Sequence, residues 1–293
     1  MSEFTASPST TEDSMQNRTD AGWESGASEF SPQVTLTAGN VWRHSALEGL
    51  LSFLLLFGVT SILRWFVGAS YISSKFGEGR LGLVAIGLAV GLLISLLILS
   101  RPGRISGGHM NPAISFAMWR FGIFPGRLVV PYVIAQFGGS TAGVIVARFT
   151  WGATAENPPV TFAVLQPAAG WTAAGLFGAE AVSTGVVIFA VGYFLQSPRL
   201  ARLVPWLAGL LTGAAIALLG SATGASMNPV RQFGPALFSA EYSFLWVYLL
   251  APMVGAFSAA ILLNAIRRHH TVLTHRLCGT HEDGSSVSLH QVA

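Results

Sequence analysis

Charged side chains are scarce in this chain of 293 residues: they make up 10% of it, whereas 52% of the residues are hydrophobic. Soluble domains carry about 25% charged residues, so the composition excludes an ordinary soluble fold and indicates a membrane protein. Inside the long apolar stretches the only acidic residues are Glu48 and Glu180. The basic residues form no patch or basic helix, so the net positive charge does not favour a nucleic-acid partner.

The chain has a single cysteine, Cys278, which excludes an intrachain disulfide framework. A glycine-rich phosphate loop, a metal-ligand spacing within the spans and a nucleophile–base pair are also lacking, so we expect no enzyme, cofactor or metal site. His269, His270 and His275 could in principle bind a metal, but we predict that they belong to a solvated tail. The polar first 40 residues do not read as a cleavable signal peptide.

Six apolar stretches are long enough to cross the hydrocarbon core of a bilayer, which takes about 20 helical residues. They lie near residues 45–67, 81–99, 128–149, 172–194, 203–221 and 244–266. Their many Gly and Ala residues favour close helix packing in lipid. We therefore predict a membrane domain over 45–266, a disordered tail over 1–44 and a loose polar tail over 267–293.

Two short motifs in the chain are almost alike. They read SGGHMNPAISF at 106–116 and TGASMNPVRQF at 223–233. An Asn that caps a helix whose first residue is Pro is a strong signal for a helix start. The segments that follow, 112–121 and 229–239, contain about ten residues, or roughly 15 Å of helix, which is half a bilayer. We predict two re-entrant half-helices that together make up one composite span.

The two halves of the chain are repeats. Asn111 and Asn228 are 117 positions apart, and the pattern Glu48-x-x-x-Ser52 is echoed by Glu180-x-x-x-Thr184. Three spans in each half mean that the second copy enters the membrane inverted, so a pore is expected on the pseudo-twofold axis. The predicted fold is an all-α membrane protein with six transmembrane helices, two half-helices and repeats at about 45–150 and 172–266.

An even number of spans places both termini on one side of the membrane. Most of the arginines fall on that same side, among them Arg43, Arg101, Arg104, Arg199 and Arg267. Basic residues accumulate in cytoplasmic loops, so we predict that both termini are cytoplasmic.

From roughly Ser45 to Arg267 the chain resembles the aquaporin, or major intrinsic protein, family. The resemblance is carried by the repeated glutamate spans, by the arginine three residues after the second Asn, and by two boxes: Asn111, Pro112, Ala113 and Asn228, Pro229, Val230. It implies a passive channel of the cell membrane that conducts neutral molecules and blocks protons, and a homotetramer with one pore in each subunit.

The chemistry of the boxes agrees with that implication. Each Asn caps its half-helix and offers an amide N–H to the pore, and the helix N-terminus behind it acts as about half a positive charge. If both were ordinary N-caps, this duplication would be unexplained. Non-helical backbone at membrane depth must line a wet cavity. We expect the loop carbonyls there to form a polar stripe, namely those of Gly107, Gly108, His109, Gly224, Ala225 and Ser226.

Three charged residues inside the membrane need a role. Glu48 and Glu180 are predicted to accept hydrogen bonds from the loops and hold the half-helices, as matched positions do in the family; proton coupling is the alternative. Arg231 is predicted to be the cationic member of the outer constriction, and a structural salt bridge with Glu241 is the alternative. His109 is expected to be packed and hydrogen-bonded beside its loop rather than to act as a proton relay.

The resemblance assigns three further positions of the constriction by spacing. These are Ile216, Ala225 and Val90, or Gly91 in place of Val90 if the loop after the second span has the usual length. Strict water channels of the family carry a bulky aromatic residue and a His at the positions of Val90 and Ile216. The opening here is instead aliphatic and wide, as in the broad-substrate nodulin-26-like branch and aquaglyceroporin-type members.

We therefore expect small uncharged solutes to pass: glycerol, urea, metalloid acids and water. One departure concerns glycerol facilitators, which carry an Asp directly after the arginine where this chain has Gln232. A water-selective channel is the alternative within the family. A secondary carrier, with Glu48 or Glu180 taking up protons, is the alternative from another class.

Overall fold

The computed structural model describes residues 38–68, 71–76, 79–267, 270–281, 284–285 and 287. In chain order the helices are α1 (Ala38–Phe66), α2 (Tyr71–Phe76), α3 (Gly79–Leu99), α4 (Arg101–Ser106), α5 (Pro112–Arg120), α6 (Gly126–Trp151), α7 (Ala153–Glu156), α8 (Ala173–Phe194), α9 (Pro198–Ala201), α10 (Val204–Leu219), α11 (Pro229–Ser239) and α12 (Leu245–Ile266). A short 3-10 turn covers Thr161–Ala163.

Five of these helices, α1, α3, α6, α8 and α12, are long and apolar enough to cross a membrane. The predicted fifth span, 203–221, is the shorter apolar helix α10 of 16 residues. At 1.5 Å per residue it measures about 24 Å, because the chain leaves the helix at Gly220 to enter the second motif. The half-helices α5 and α11 begin at the two prolines, as the motifs predict.

The predicted N-terminal tail is too long by at least seven residues. Helix α1 begins at Ala38, so residues 38–44 form its first turns instead of a disordered segment. His44 is buried there. The sequence did not indicate this part of the helix because the first long apolar run begins only near Ser45. The rest of the predicted tail, 1–37, lies outside the described residues.

The prediction of a loose C-terminal tail is wrong for residues 270–281. Val272, Leu277 and Cys278 in this segment are buried. The segment folds back onto the membrane domain, which buries these apolar side chains. The polar residues that flank them gave no sign of this burial in the sequence. His269 lies outside the described residues, and within the described ones no cluster of three His, Cys, Asp or Glu residues could hold a metal ion.

Helices α3 and α10 cross at four glycines that obey the pseudo-twofold symmetry. A Cβ atom on Gly87 would meet the carbonyl oxygen of Gly213, and one on Gly213 would meet that of Gly87 at 2.5 Å. Gly91 and Gly209 face each other's carbonyl oxygens in the same way. Only glycine lets the two backbones approach this closely, which is how small residues act in membrane bundles.

The same device joins the other helices of each repeat. Gly139 of α6 packs on the backbone of Gly49 in α1, and Gly255 of α12 packs on that of Ala181 in α8. The half-helices fill the space that remains: α5 and α11 each contact both α6 and α12. The inverted repeats are therefore interlocked, and neither half-helix is held by its own repeat alone.

We predict that Gly213→Ala destabilises the protein by about 1–3 kcal/mol, the usual cost of overpacking. The added methyl group would press on the backbone of Gly87, which cannot rotate away as a side chain can. Thermal unfolding in detergent micelles measures the effect.

The matched control is Gly138→Ala in α6, where a Cβ meets nothing within 4 Å. It should be neutral or should stabilise by up to about 1 kcal/mol, because Ala is the better helix former. Equal unfolding temperatures for the two variants would contradict the tight crossing.

Candidate functional site

Both box asparagines cap their half-helices through the side chain. Oδ1 of Asn111 accepts from the backbone N–H of Ala113 at 2.9 Å, and Oδ1 of Asn228 accepts from that of Val230 at 3.1 Å. Each Asn has an extended backbone, with φ of −156° and −153°, and is followed by Pro at the first helical position. The caps leave both Nδ2 amino groups available for other partners.

Those amino groups join the two loops across the pseudo-twofold axis. Nδ2 of Asn111 donates to the carbonyl oxygen of Met227, and Nδ2 of Asn228 donates to that of Met110, both at 2.9 Å. Both methionines adopt a left-handed backbone with φ of +50°. An amide nitrogen carries two N–H groups, so each Asn keeps one for a molecule in the cavity that both residues line.

The other box residues pack and do not face the cavity. Pro112, Ala113, Pro229 and Val230 are buried. The carbonyl oxygen of Val230 accepts from the hydroxyl of Ser140 at 2.6 Å, which ties α11 to α6. The boxes therefore combine one pore-facing residue with two that fix the helix start.

The first membrane glutamate, Glu48, binds the first loop with both carboxylate oxygens. It accepts from the backbone N–H of Met110 at 2.7 Å and of His109 at 3.0 Å. The Ser106 hydroxyl and Gln136 Nε2 add two further bonds at 2.6 and 3.0 Å. Glu48 has no exposed surface, and its carboxylate supplies the hydrogen-bond acceptors that water would supply to an exposed loop.

Glu180 repeats the arrangement in the second half. Its carboxylate accepts from the backbone N–H of Met227 at 2.8 Å and of Ser226 at 3.1 Å. Thr223 adds a side-chain hydrogen bond, in the place that Ser106 holds in the first half. The two glutamates therefore contact the loops at equivalent positions.

Two buried tyrosines donate hydrogen bonds to the loop carbonyls. The hydroxyl of Tyr132 donates to the carbonyl oxygen of Ser106 at 2.7 Å, and that of Tyr248 donates to the carbonyl oxygen of Thr223 at 2.6 Å. Acids thus bind the loop N–H groups and phenols bind the loop carbonyls. This satisfies irregular backbone at a depth where water is excluded.

A cavity of about 80 Å³ runs between the loops, which is room for several water molecules. It contains both box asparagines and all four residues predicted for the constriction: Val90, Ile216, Ala225 and Arg231. Gly91, the other position considered, faces the backbone of Gly209 in α10. The remaining wall is mostly aliphatic, with Leu55, Val59, Ile98 and Val187 among its residues.

Four of the six residues predicted to form the polar stripe line the cavity. Gly108, His109, Ala225 and Ser226 line the cavity, but Gly107 and Gly224 are not among its residues. A Cβ on Gly224 would meet the side chain of Leu165. The carbonyl oxygen of Gly107 instead accepts from the backbone N–H of Leu277 at 3.0 Å.

Arg231 is oriented by the loop between the two repeats. Its Nη1 donates to the carbonyl oxygen of Ala163 at 2.6 Å. The next residue, Gln232, holds the same loop at two points: Oε1 accepts from the N–H of Leu165, and Nε2 donates to its carbonyl oxygen, both at 2.9 Å. One nitrogen of the guanidinium group is thus fixed, and Arg231 lines the cavity.

The salt bridge considered for Arg231 is not seen among the described residues. Glu241 accepts instead from the hydroxyl of Ser243 and from Nε2 of Gln166 at 2.8 Å. A partly buried arginine that makes no ion pair there fits a role toward the cavity contents.

The His109 ring is packed beside its loop between Phe124 and Tyr132, with centroid distances of 5.0 and 5.6 Å. Its Nε2 lies 3.0 Å from the carbonyl oxygen of His275, which can only accept, so Nε2 carries the proton. Nδ1 then accepts from the Ser115 hydroxyl at 3.0 Å. Both ring nitrogens are occupied.

The comparison with known families decides the class of the protein. The Major intrinsic protein family matches residues 35–263, which contain both loops and all the cavity-lining residues except Leu277. The chain belongs to this family. It is therefore a membrane protein of the aquaporin class of channels, as the paired boxes predict.

Individual members show how far the likeness extends. The chain is 30% identical over 217 residues to "Probable aquaporin NIP7-1" of Arabidopsis thaliana, which covers 73% of each chain. It is 36% identical over 214 residues to "Probable aquaporin AqpM" of Archaeoglobus fulgidus, covering 66% of this chain and 82% of that one. The X-ray structure of the aquaglyceroporin from Plasmodium falciparum superposes with a TM-score of 0.64 at 20% identity, over 77% of this chain and 96% of that one. The last match shows the fold.

Several residues of the site escaped the sequence analysis. Met110 and Met227 each precede the Asn of their motif. This repetition could have indicated that the two residues play equivalent parts in the two loops. Gln136 was not detectable in that way, because it donates to Glu48 and to Ser115 from a position that has no polar counterpart in the second half. Its role depends on which helices meet in space.

We predict that Glu180→Gln destabilises the channel by about 1–3 kcal/mol, the cost of a buried donor left without its acceptor. A carboxamide has one acceptor oxygen, so its amino group would face one of the two N–H groups that the carboxylate binds. Both the unfolding temperature and the water permeability of proteoliposomes should fall.

Glu156→Gln is the matched control. Glu156 pairs with Arg148 at 3.3 Å at the surface, where both side chains are nearly half exposed. Such a pair contributes only about 0–1 kcal/mol, so stability and permeability should stay close to the parent. Equal losses in both variants would refute the anchoring role of Glu180.

Proposed function

We propose that this protein is a passive channel through which glycerol, urea, boric and arsenous acids, and water cross the cell membrane, while protons and ions are excluded. The channel transports these solutes without converting them chemically, so it is not an enzyme. The observation that carries it is the composition of the constriction, where three aliphatic or small side chains meet one cationic donor.

The constriction suits a solute that is partly apolar and partly hydroxylated. Val90, Ile216 and Ala225 offer apolar surface to the carbon skeleton of such a molecule. Arg231, held from one side by Ala163, offers N–H donors to its hydroxyl or carbonyl oxygens. Neither a bulky aromatic ring nor a histidine narrows the opening at Val90 and Ile216.

Exclusion of cations is attributed to the meeting point of α5 and α11. Both helices point their N-termini at the asparagines, and each terminus acts as about half a positive charge. A passing hydroxyl group is met oxygen-first by the amide N–H groups of Asn111 and Asn228. A cation meets two positive ends and the guanidinium of Arg231, which raises its energy in the cavity.

Proton-coupled transport is less well supported than a channel. Both oxygens of Glu48 and both oxygens of Glu180 accept hydrogen bonds from loop N–H groups. Both carboxylates are thus occupied as fixed anchors of the loops, whereas a coupling site must bind and release a proton in each cycle.

We also propose that both termini are cytoplasmic and that four copies assemble, each with its own pore. The assembly is supported by an exposed apolar face, which must be covered by lipid or by another subunit. On α3 it consists of Leu88, Leu92 and Leu96, which are 65%, 52% and 53% exposed and lie one turn apart.

Stopped-flow light scattering on proteoliposomes tests the proposed solutes. Water, glycerol, urea and boric acid should all equilibrate faster than in empty liposomes. Water flux without any glycerol or urea flux would identify a water-selective channel instead. Solute flux that saturates and follows an imposed pH gradient would identify a carrier.

We predict that Val90→Phe combined with Ile216→His lowers glycerol flux at least about tenfold while water flux is retained. An added barrier of only ~1.4 kcal/mol produces that factor, and two larger side chains on the neighbouring helices α3 and α10 would narrow the constriction. The ratio of glycerol to water permeability is the measurement.

The matched control is Leu88→Phe combined with Leu210→Phe. These two residues belong to the same helices, α3 and α10, but are 65% and 64% exposed on the outer surface. The permeability ratio should be unchanged in this variant. An unchanged ratio in the constriction variant as well would tell against the assignment of Val90 and Ile216.

A further inference from the structure

The segment 270–281, called here the tail segment, lies across the end of the cavity that is opposite to Arg231. The backbone N–H of Leu273 donates to the carbonyl oxygen of Leu195, just after α8, at 3.0 Å. The N–H of Leu277 donates to the carbonyl oxygen of Gly107, in the first loop, at 3.0 Å. The segment is therefore fastened on both sides of this mouth.

Internal hydrogen bonds shape the tail segment into a compact loop. The Thr274 hydroxyl donates to the carbonyl oxygen of Thr280 at 2.9 Å, and the N–H of Gly279 donates to that of Arg276 at 2.9 Å. Leu277 lies within this loop, is 2% exposed and forms part of the cavity wall together with Gly108 and His109. The loop thus holds an apolar side chain, Leu277, against the cavity.

The tail segment also takes polar groups that a permeating molecule would otherwise use. The carbonyl oxygen of Gly107 is bonded to Leu277, and Nε2 of His109 donates to the carbonyl oxygen of His275. A solute entering here loses one acceptor and one donor and meets the Leu277 side chain.

We propose that the tail segment is an autoinhibitory plug, which closes this mouth of the channel with Leu277 and opens it by undocking as a unit. The proposal rests on the proposed function for the identity of the solute, but not for its test, because water flux and side-chain labelling report the plug whichever solutes the pore selects.

The charges around the tail segment suit a plug that can leave. Beside it is a second cavity of about 380 Å³, whose wall carries basic side chains from three parts of the chain. They are Arg43, His44, Arg104, Arg276 and His281. Arg276 on the segment and Arg43 and Arg104 at the mouth carry the same charge, and their repulsion weakens docking.

Gly279 provides a way to displace the plug without touching the pore. It has φ of +73°, and a Cβ there would meet the carbonyl oxygen of Ala201 at 2.5 Å and its carbonyl carbon at 2.6 Å. Gly284 has φ of +82° in the same region, but a Cβ there meets nothing within 4 Å. The two glycines share a left-handed backbone and differ in their surroundings, so they form a matched pair.

The test compares Gly279→Ala, Gly284→Ala and a chain ending at Arg267 in proteoliposomes. We expect water flux to rise severalfold in the truncated chain and in Gly279→Ala, and to match the parent in Gly284→Ala. Parent-like flux in both the truncated chain and Gly279→Ala would overturn the proposal, since the segment would then leave the pore open.

Cys278, the only cysteine of the chain, reports docking directly. It is buried in the tail segment, so maleimide labelling of the folded protein should be slow in the parent and in Gly284→Ala, and severalfold faster in Gly279→Ala. Unfolding temperatures near that of the parent exclude global unfolding as the cause. Fast labelling of the parent would overturn the docked state itself.

Protonation of His275 should release the plug. Its Nδ1 is buried and has no hydrogen-bond partner within the described residues. Burial, and then the charges of His109, Arg276 and His44, lower the pKa of His275 well below its ordinary value when docked. Glu48 lies behind His109 and Phe124 packs on the other side, while Arg43 and Arg104 line the adjacent cavity.

The sign of the pH effect follows from that direction. A free tail takes up a proton below about pH 6.5 and the docked one does not, so docking is strongest above that pH and weakens as the pH falls. At pH 5.5 docking should be about tenfold weaker than at pH 7.5, and parent water flux should rise.

His275→Phe keeps an aromatic ring between His109 and Phe124 but cannot take a proton, so its flux should stay low at both pH values. The chain ending at Arg267 retains His44 and His109 and should show high flux at both. A parent flux that does not change with pH, or an equal rise in His275→Phe, would overturn the role of His275 in release.

Discussion

The structure depends on one constraint, which is that every peptide group of the two loops must find a partner at a depth where the bilayer offers none. The membrane glutamates Glu48 and Glu180 meet it for the N–H groups, and Tyr132 and Tyr248 meet it for the carbonyls. These four side chains come from α1, α8, α6 and α12, so the long helices are positioned by the needs of the loops as much as by contact with one another. The cavity exists because the loops remain irregular, and the loops remain irregular because their hydrogen bonds are satisfied from the sides.

The cross-bonds between Asn111 and Met227, and between Asn228 and Met110, make the two repeats mutually dependent. An asparagine that only capped its helix would leave its loop free to shift along the pore. Here each cap also fixes the opposite loop, so the two helix N-termini are held together against their own repulsion. The glycine contacts between α3 and α10 allow this geometry, because larger side chains would separate the walls that bring the loops together.

The two ends of the cavity have diverged although the core is symmetric. At one end, the loop between the repeats orients Arg231 through Ala163 and is itself held by Gln232. At the other end, Gln136, Ser115 and His109 extend the hydrogen bonds of Glu48, and the tail segment binds Gly107 and His109. In the function and regulation that we propose, the first end selects the solute and the second controls access. One mouth could then be regulated without altering the chemistry of the other.

The sequence by itself determined the class of fold, the two half-helix starts, the inverted repeat and the location of the charged residues within it, because duplication and long apolar runs are visible without coordinates. It did not show that Val90 lines the cavity while Gly91 contacts α10, since adjacent residues of a helix differ by a rotation that only packing decides. It also missed the helix over residues 38–44 and the docked tail segment. The docked tail segment is ordered by partners far away in the chain, such as Gly107 for Leu277. Local composition carries no signal for contacts of that range, and only the tertiary structure brings those partners together.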